Sequence, residues 1–520
     1  MAKRAPRRRA VVVPAALAAL LAAPGARAEW RFTPTVDLRE TWTDNVALSR
    51  AEDAKSRFVT ELTPGFTLLN RGPRLKASAN YQLHYYAFDD DGVEGVRHAQ
   101  SQLRTDVRAT VIDDLLFLDA DGAIGQQPVS AFGPQVNGNG YASANRANVK
   151  TWRVSPYLLH RFGNSATAAV RYTHDAVDAG RTGLGEGTGF GDSSGDLLVM
   201  NLNSGRTFRR LGWGLQYSHQ RVDDSIAPES SVKMVSANTR YRLGADVNLT
   251  ASAGYDEYDY QSDGEPTKGR FWQGGIEWTP SPRTSLVAGA GKRYYGNTYN
   301  LQALHRSRRS VWSINYSDSV TTTRSQLLLP ATIDTASMLD RLFIAQIPDA
   351  AARAQAVDAY IRATGLPASL ADSINYFSNR FILQKQLQAS VAFNTARTTL
   401  IVSAFDSRRE GLSLIQTDSL LTGPASARLN DDTTQRGGSA MWNMRLTSRS
   451  AINASWISSR QESNGTGIAS KNTALRLAVT RQFSPKVRGA LEARRVSGTT
   501  ADQAASYREN ALTASLSLQF

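Results

Sequence analysis

The sequence predicts an all-β fold: a transmembrane antiparallel β-barrel of about 22 strands (range roughly 18 to 24), interrupted by one helical loop insertion. Three observations carry this expectation. Segments of barrel-spanning length alternate apolar and polar residues one by one. The connections between them alternate short and long. The final residues, Asn510 to Phe520, repeat the same alternation and end on an aromatic. In that last segment Leu512, Ala514, Leu516, Leu518 and Phe520 share one parity, and Ala511, Thr513, Ser515, Ser517 and Gln519 share the other. A strand turns successive side chains to opposite faces, so one face is apolar and the other small and polar.

Composition is compatible with this class. The chain of 520 residues is 41% hydrophobic and 20% charged, with mean hydropathy −0.36. A helical membrane protein needs runs of about 18 or more apolar residues, whereas barrel strands are apolar on one face only. The chain has no Cys, which removes disulfides, thiol chemistry and Cys-based metal sites and suits an oxidising compartment. Met1 to Ala28 reads as a secretory leader: basic residues from Lys3 to Arg9, an apolar run from Ala10 to Ala22, and an Ala26-Arg27-Ala28 cleavage site. Cleavage after Ala28 leaves one barrel domain, 29–520, destined for the bacterial outer membrane. The formal charge of +14 includes six basic residues of the leader, and the remaining +8 is still basic. An exported chain meets no nucleic acid, so the expected partners of that charge are outer-membrane lipid, lipopolysaccharide and anionic solutes.

The first strand reads from Val36 to Trp42, with no plug-sized segment before it, which argues against a gated siderophore-type transporter. Phe58 to Leu68 follows, and then Leu75 to Tyr85 with Lys76, Ser78, Asn80, Gln82 and His84 on its polar parity. Short turns are expected at Asn70–Pro73, Ile112–Asp114, Gly163–Ser165, Gly205–Leu211, Gly244–Asp246, Thr279–Arg283, His305–Arg309, Asn394–Arg397, Thr447–Ser450 and Ser484–Lys486. Longer loops lie between them, at Asp89–Arg97, Gln126–Ala147, Asp175–Asp196, Asp223–Ser231 and Gln261–Gly269. Short periplasmic turns and longer outer loops are the barrel pattern. Leu327 to Ser373 breaks it. Asp334 or Thr335 is placed to cap a helix running to about Gln346, Pro348 suits a first helical turn, and Gly365 suits a C-terminal stop. By parity this excursion is on the outer side, either inside the pore or outside it.

Several phrases then point to a family. They include WRFTPTVDLRETWTDNV at Trp30–Val46, ELTPGFTL at Glu61–Leu68, VKTWRVSPYLLHRFG at Val149–Gly163, WTPSPRTSL at Trp278–Leu286, and the long stretch from Lys292 to Arg324 containing HRSRRSVW at His305–Trp312. Through them the chain resembles the outer-membrane β-barrel proteins associated with the PEP-CTERM/exosortase system of Gram-negative, exopolysaccharide-making bacteria. The resemblance implies the barrel fold, the outer-membrane location and an association with exopolysaccharide export or surface sorting. It implies no established biochemical activity. No PEP motif with a hydrophobic helix and basic tail closes this chain, so the resemblance implies a companion of the sorting system rather than its substrate. A terminal strand ending in Leu516, Leu518 and Phe520 is similar to the signal read by the barrel assembly machinery, which implies that machinery as a partner.

Parity assigns Lys76, Arg104, Arg108, Arg153, Arg171, Arg240, Arg242, Arg476, Arg488 and Arg494 to the lumen. A charge facing lipid near mid-bilayer would cost about 2–4 kcal/mol. Asp37, Asp106, Asp119, Asp121 and Glu492 share that face. Two readings stay open: a channel biased toward anionic solutes or an anionic polysaccharide, and a cross-strand ion-pair ladder that stiffens the wall. His305, Arg306, Arg308 and Arg309 form a basic cluster at a periplasmic turn, suited to phospholipid phosphates or to an export component. Trp42, Tyr85, Trp152, Tyr172, Trp213 and Tyr255 suit interfacial girdles. No cofactor and no metal is expected. Asp89-Asp90-Asp91-Gly92 lacks EF-hand spacing, the six His are scattered, and no catalytic motif stands out. Three functions remain: a channel or scaffold in exopolysaccharide export and PEP-CTERM surface sorting, a general or anion-preferring porin, and a non-conducting structural or surface-interaction barrel.

Overall fold

The computed structural model describes residues 30–520 except 90–92, 94–95, 136–139, 143–144, 180–189, 263–265, 329–338, 341–356, 358–375, 416–417, 420–423 and 502–505. The leader and its cleavage site, the tip of the Asp89–Gly92 cluster, the glycine-rich stretch up to 189 and nearly all of the 327–373 excursion lie outside the described residues.

Twenty-two strands form one antiparallel sheet that closes on itself. The first quarter holds β1 (Trp30–Thr43), β2 (Arg57–Arg71), β3 (Leu75–Ala87), β4 (Ala99–Ile112), β5 (Leu116–Pro128) and β6 (Arg146–Phe162). Next come β7 (Ala166–Ala179), β8 (Ser193–Ser204), β9 (Leu211–Asp224), β10 (Ser230–Arg242) and β11 (Val247–Asp259). The second half holds β12 (Lys268–Ser281), β13 (Thr284–Arg293), β14 (Gly296–Arg306), β15 (Ser310–Thr322), β16 (Phe381–Asn394) and β17 (Thr398–Gly411). It ends with β18 (Asp432–Arg445), β19 (Ser450–Ser463), β20 (Ala469–Ser484), β21 (Val487–Thr499) and β22 (Ser506–Gln519). Closure runs from Thr35 opposite Gln519 to Thr43 opposite Ala511. No edge strand is left, which is what a backbone surrounded by hydrocarbon requires.

The strand reading from sequence holds, with three differences. β1 begins at Trp30 rather than Val36. Pro34 lies one residue beyond the last β1–β22 pair, and its carbonyl accepts from the Phe520 N–H at 3.1 Å, so its missing N–H falls at the very end of that ladder. The β13–β14 connection is only Tyr294-Tyr295, although it lies at the long-loop end. Among the described residues, two six-residue helices also appear, α1 (Thr323–Leu328) directly after β15 and α2 (Pro424–Leu429) before β18. The ten short turns all fall at one end, where Asp114 and Gly163 take positive φ (60° and 53°) to reverse the chain in three residues.

Register fixes the two faces. Across the seam Trp42 stands opposite Phe58 and Leu512, and Leu38 opposite Leu62 and Leu516. These side chains are exposed, so the apolar parity forms an outward band, as a membrane-facing barrel requires. A barrel of this strand number encloses a lumen far wider than its wall side chains can fill.

Candidate functional site

The lumen is the candidate site. Following the register from strand to strand puts Lys76, Arg104, Arg108, Arg153, Arg171, Arg240, Arg242, Arg476, Arg488 and Arg494 on the inward parity. Asp37, Asp106, Asp119, Asp121 and Glu492 share it. Trp42, Tyr85, Trp152, Tyr172, Trp213 and Tyr255 all fall on the outward parity.

Most of the inward charges do not stand alone. Arg153 pairs with Asp121 at 2.8 Å and Arg171 with Asp119 at 2.8 Å. Arg240 pairs with Glu277 at 2.8 Å, Arg476 with Glu492 at 3.1 Å and Arg108 with Asp106 at 3.5 Å. This is a wall ladder. Its half-exposed pairs contribute about 0–1 kcal/mol each. Lys76 and Arg104 have no ion pair among the described residues, and Lys76 stands directly opposite Arg108. These three basic groups are exposed to the lumen. So are Ser78, Asn80 and Gln102 beside them, and Arg240 and Arg242 farther round. The short-turn end is therefore an open, polar vestibule along β3 to β4 and β10. One cavity of about 590 Å³ lies there, lined by Asn203, Asn238, Arg240, Arg242, Asp246 and Asn248 among others. The inner face of β16 to β20 differs: Ala392, Ile401, Met441 and Asn443 are buried even near the short turns.

The opposite end is crossed by two inward bridges. In the first, α1 leaves β15 and meets the wall at β6 and β7. Arg324 forms an ion pair with Asp175 of β7 and donates through Nε to Ser193 Oγ of β8 at 2.8 Å. Both charges are at least nine-tenths buried. The Phe377 N–H donates to the Val129 carbonyl at 3.2 Å, and its ring lies 4.9 Å from that of Phe190. Leu327 and Leu328 pack on the same apolar cluster with Val149 and Val177. Leu339 and Val357, the described hydrophobic residues of the excursion beyond α1, are fully buried or nearly so.

The second bridge is the β5–β6 loop. Its Tyr141 hydroxyl donates to Glu509 of β22 at 3.0 Å, and Thr43 of β1 donates to the same carboxylate at 2.8 Å. Arg494 of β21 binds it at 3.1 Å. Glu509 is 0% exposed and Arg494 5%. Burial and the adjacent Glu509 push the Tyr141 hydroxyl well above its ordinary value. Earlier in the loop, the Gln135 N–H donates to the Tyr507 hydroxyl at 3.1 Å, and the Ala501 N–H donates to the Phe132 carbonyl at 3.1 Å.

Beneath the first bridge, Tyr376 hydrogen-bonds Thr433 at 3.0 Å, and its ring lies 4.2 Å from the Arg409 guanidinium. The next residues are held by Asp418, which accepts from Ser378 Oγ at 2.8 Å and from the Asn379 N–H at 2.7 Å. Burial, partly offset by those two donors and by Arg380 and Arg409, pushes the Asp418 carboxyl above its ordinary value. Beside Arg324 a cavity of about 290 Å³ remains, lined by Asp224, Glu229, Asp259, Tyr260 and Phe381 among others.

Of the periplasmic-turn cluster, Arg308 and Arg309 are exposed in the β14–β15 turn, and His305 contacts Thr284 at 2.9 Å. Among the described residues no group of His, Asp or Glu is placed to hold a metal ion. Sequence reading missed Asp175, Glu509, Arg324 and Tyr141. Glu509 and Asp175 carried a local signal, each an acid on the inward parity of its strand.

No protein-family model and no curated protein matches the chain. Solved structures similar to it include the FrpB iron transporter from Neisseria meningitidis (10% identity, 94% of this chain and 81% of that one, TM-score 0.46). The siderophore receptor PirA from Pseudomonas aeruginosa is similar at 10% identity, 94% and 80% coverage and TM-score 0.39. OccAB4 from Acinetobacter baumannii is similar at 9% identity, 95% and 98% coverage and TM-score 0.35. At these values the likenesses carry no argument about cargo. The strand register itself makes the chain a closed 22-stranded antiparallel barrel of outer-membrane type.

Proposed function

We propose that this protein is a gated outer-membrane conduit for anionic cargo, loaded from the periplasm and shut at its outer end by its own loops. The observation that carries this reading is the Arg324–Asp175 pair between the end of β15 and β7, above a vestibule that is open and basic. A wall pair of this kind would only stiffen a barrel. A pair that joins two separate sectors of the wall, through a segment that is not a strand, shuts a passage. The cargo class that fits unpaired Lys76 and Arg104 is a polyanion, because a multivalent chain gains from successive weak cationic contacts. The resemblance to exopolysaccharide-associated barrels makes an acidic polysaccharide the first candidate. The role proposed is passage rather than catalysis.

Blocking of single-channel current tests the cargo class. An oligouronate added on the short-turn side of a latch-opened Asp175→Asn barrel is expected to interrupt current, and a neutral glucan of equal length is not. Equal block by both, or block by neither, would refute the polyanion assignment. The buried inner face of β16 to β20 favours a second reading, a non-conducting structural barrel. Absence of current from folded, latch-opened protein would establish it.

A further inference from the structure

The rim at the short-turn end carries a one-sided distribution of charge. Seven consecutive turns, from β8–β9 round to β20–β21, include Arg209, Arg283, Arg309, Arg397, Arg449 and Lys486. Six of the seven therefore present an exposed Arg or Lys, and the seventh holds Asp246 with Arg242 beside it. None of these six cations is in an ion pair among the described residues. The acids of the other short turns, Asp113 and Asp114, lie outside this arc, and Asp113 is paired with Arg74.

Just inward along the strands, on the membrane-facing parity, are exposed aromatics: Trp278, Trp312, Phe393 and Phe483. The Trp312 and Phe393 rings meet edge to face with centroids 5.7 Å apart. Such rings mark the membrane–water interface, so the turns one step beyond lie at headgroup level. Nearby cations also lean onto that outer surface: Arg210 lies 5.4 Å over the Tyr241 ring and Arg481 lies 6.0 Å over Phe483. Guanidinium forks match phosphodiester oxygens in geometry and charge. A protein partner would meet only the ends of the turns. A headgroup between turn and ring meets the cation and the aromatic together.

We propose that this arc, centred on Arg308, Arg309 and Arg397 beside the Trp312–Phe393 pair, binds the phosphodiester headgroups of anionic phospholipids in the periplasmic leaflet. The site anchors the barrel by one sector of its rim. It does not depend on whether the pore conducts.

The test uses full-length barrel in nanodiscs of phosphatidylcholine, alone or with one part in three phosphatidylglycerol. Loss of heat-resistant gel mobility reads stability, and native mass spectrometry reads retained lipid. Phosphatidylglycerol is expected to raise the unfolding temperature of the wild type, and about 1 M salt to abolish the rise. The combined Arg308→Gln, Arg309→Gln, Arg397→Gln variant should melt with wild type in phosphatidylcholine and gain nothing from phosphatidylglycerol. Its retention of the anionic lipid should fall on the order of a hundredfold, roughly fivefold per charge removed. An equal phosphatidylglycerol response in wild type and variant, or none in wild type, overturns the proposal. So does stabilisation by inorganic phosphate in phosphatidylcholine discs, which would mark a site for soluble anions. Should the variant fail to refold, the salt titration of the wild type decides, and a salt-independent lipid response overturns the proposal.

Discussion

The two ends of this barrel are built from the same alternating strands and yet differ in kind. At the short-turn end the inward groups of β3 and β4 are exposed and include Lys76, Arg104 and Arg108. At the loop end the inward groups Val59, Glu61, Tyr86, Asp175 and Glu509 are buried, because chain from the β5–β6 loop and from α1 lies against them. Strand chemistry alone does not produce this asymmetry. Both ends carry polar and charged inward residues among others. What separates them is whether a second segment covers them, and covering a charge is tolerable only where a partner arrives with it. The loop end meets that condition with Arg324 for Asp175, and with Arg494, Tyr141 and Thr43 for Glu509. A closure held this way is discrete: its parts are docked or they are not.

The largest way to break the contrast is to remove Glu509. Glu509→Gln leaves buried Arg494 with only the longer Glu492 contact at 3.7 Å, and weakening a buried pair in this way should cost up to about 3 kcal/mol. The expected result is a marked fall in denaturant midpoint, with release of the β5–β6 loop seen as new protease cleavage near Tyr141. The next effect is apolar. Phe377→Ala empties a site between Phe190 and Val149 and should cost about 3 kcal/mol, expressed locally as faster amide exchange over 376–380. The vestibule should respond in the opposite sense. Lys76→Gln with Arg104→Gln removes two exposed cations, so the unfolding midpoint should stay within about 0.5 kcal/mol of wild type. Any open-state current should lose anion preference, read from reversal potentials.

The smallest effect is a pH dependence. The Asp418 pKa is raised in the folded protein by burial. The folded state therefore binds the proton more tightly than the unfolded chain, whose carboxylates titrate near about 3.9. That contribution is present below the unfolded value and is lost as pH rises through the folded one. Amide exchange over 376–380 should thus quicken as pH rises above about 4, beyond the intrinsic base-catalysed trend, and Asp418→Asn should remove the excess.

The sequence made the wall legible and left the closure hidden, for a physical reason. Side-chain direction in a strand has period two, so Lys76 and Arg494 could be assigned inward from their neighbours alone. Short turns are also local, and most of the ten lie where Asn, Gly, Pro or Ser residues place them. The closure is made of pairs far apart in the chain. Tyr141 meets Glu509 across 368 positions and Arg324 meets Asp175 across 149. No periodicity links such positions. Even the ladder partners Asp121 and Arg153 needed the register, because a one-residue slip would have turned them apart. The start of β1 was obscured by Pro34, whose lost donor matters only if a neighbour needs it.

Planar-bilayer conductance of the full-length barrel against its Arg324→Gln and Asp175→Asn variants tests the central claim most directly. Wild type is expected to be silent or to flicker, with long anion-selective openings in both single variants. The double variant, which removes both buried charges, should open no further than either one alone. A wild type that conducts as steadily as its latch variants would contradict the account, because the outer bridge would then shut nothing.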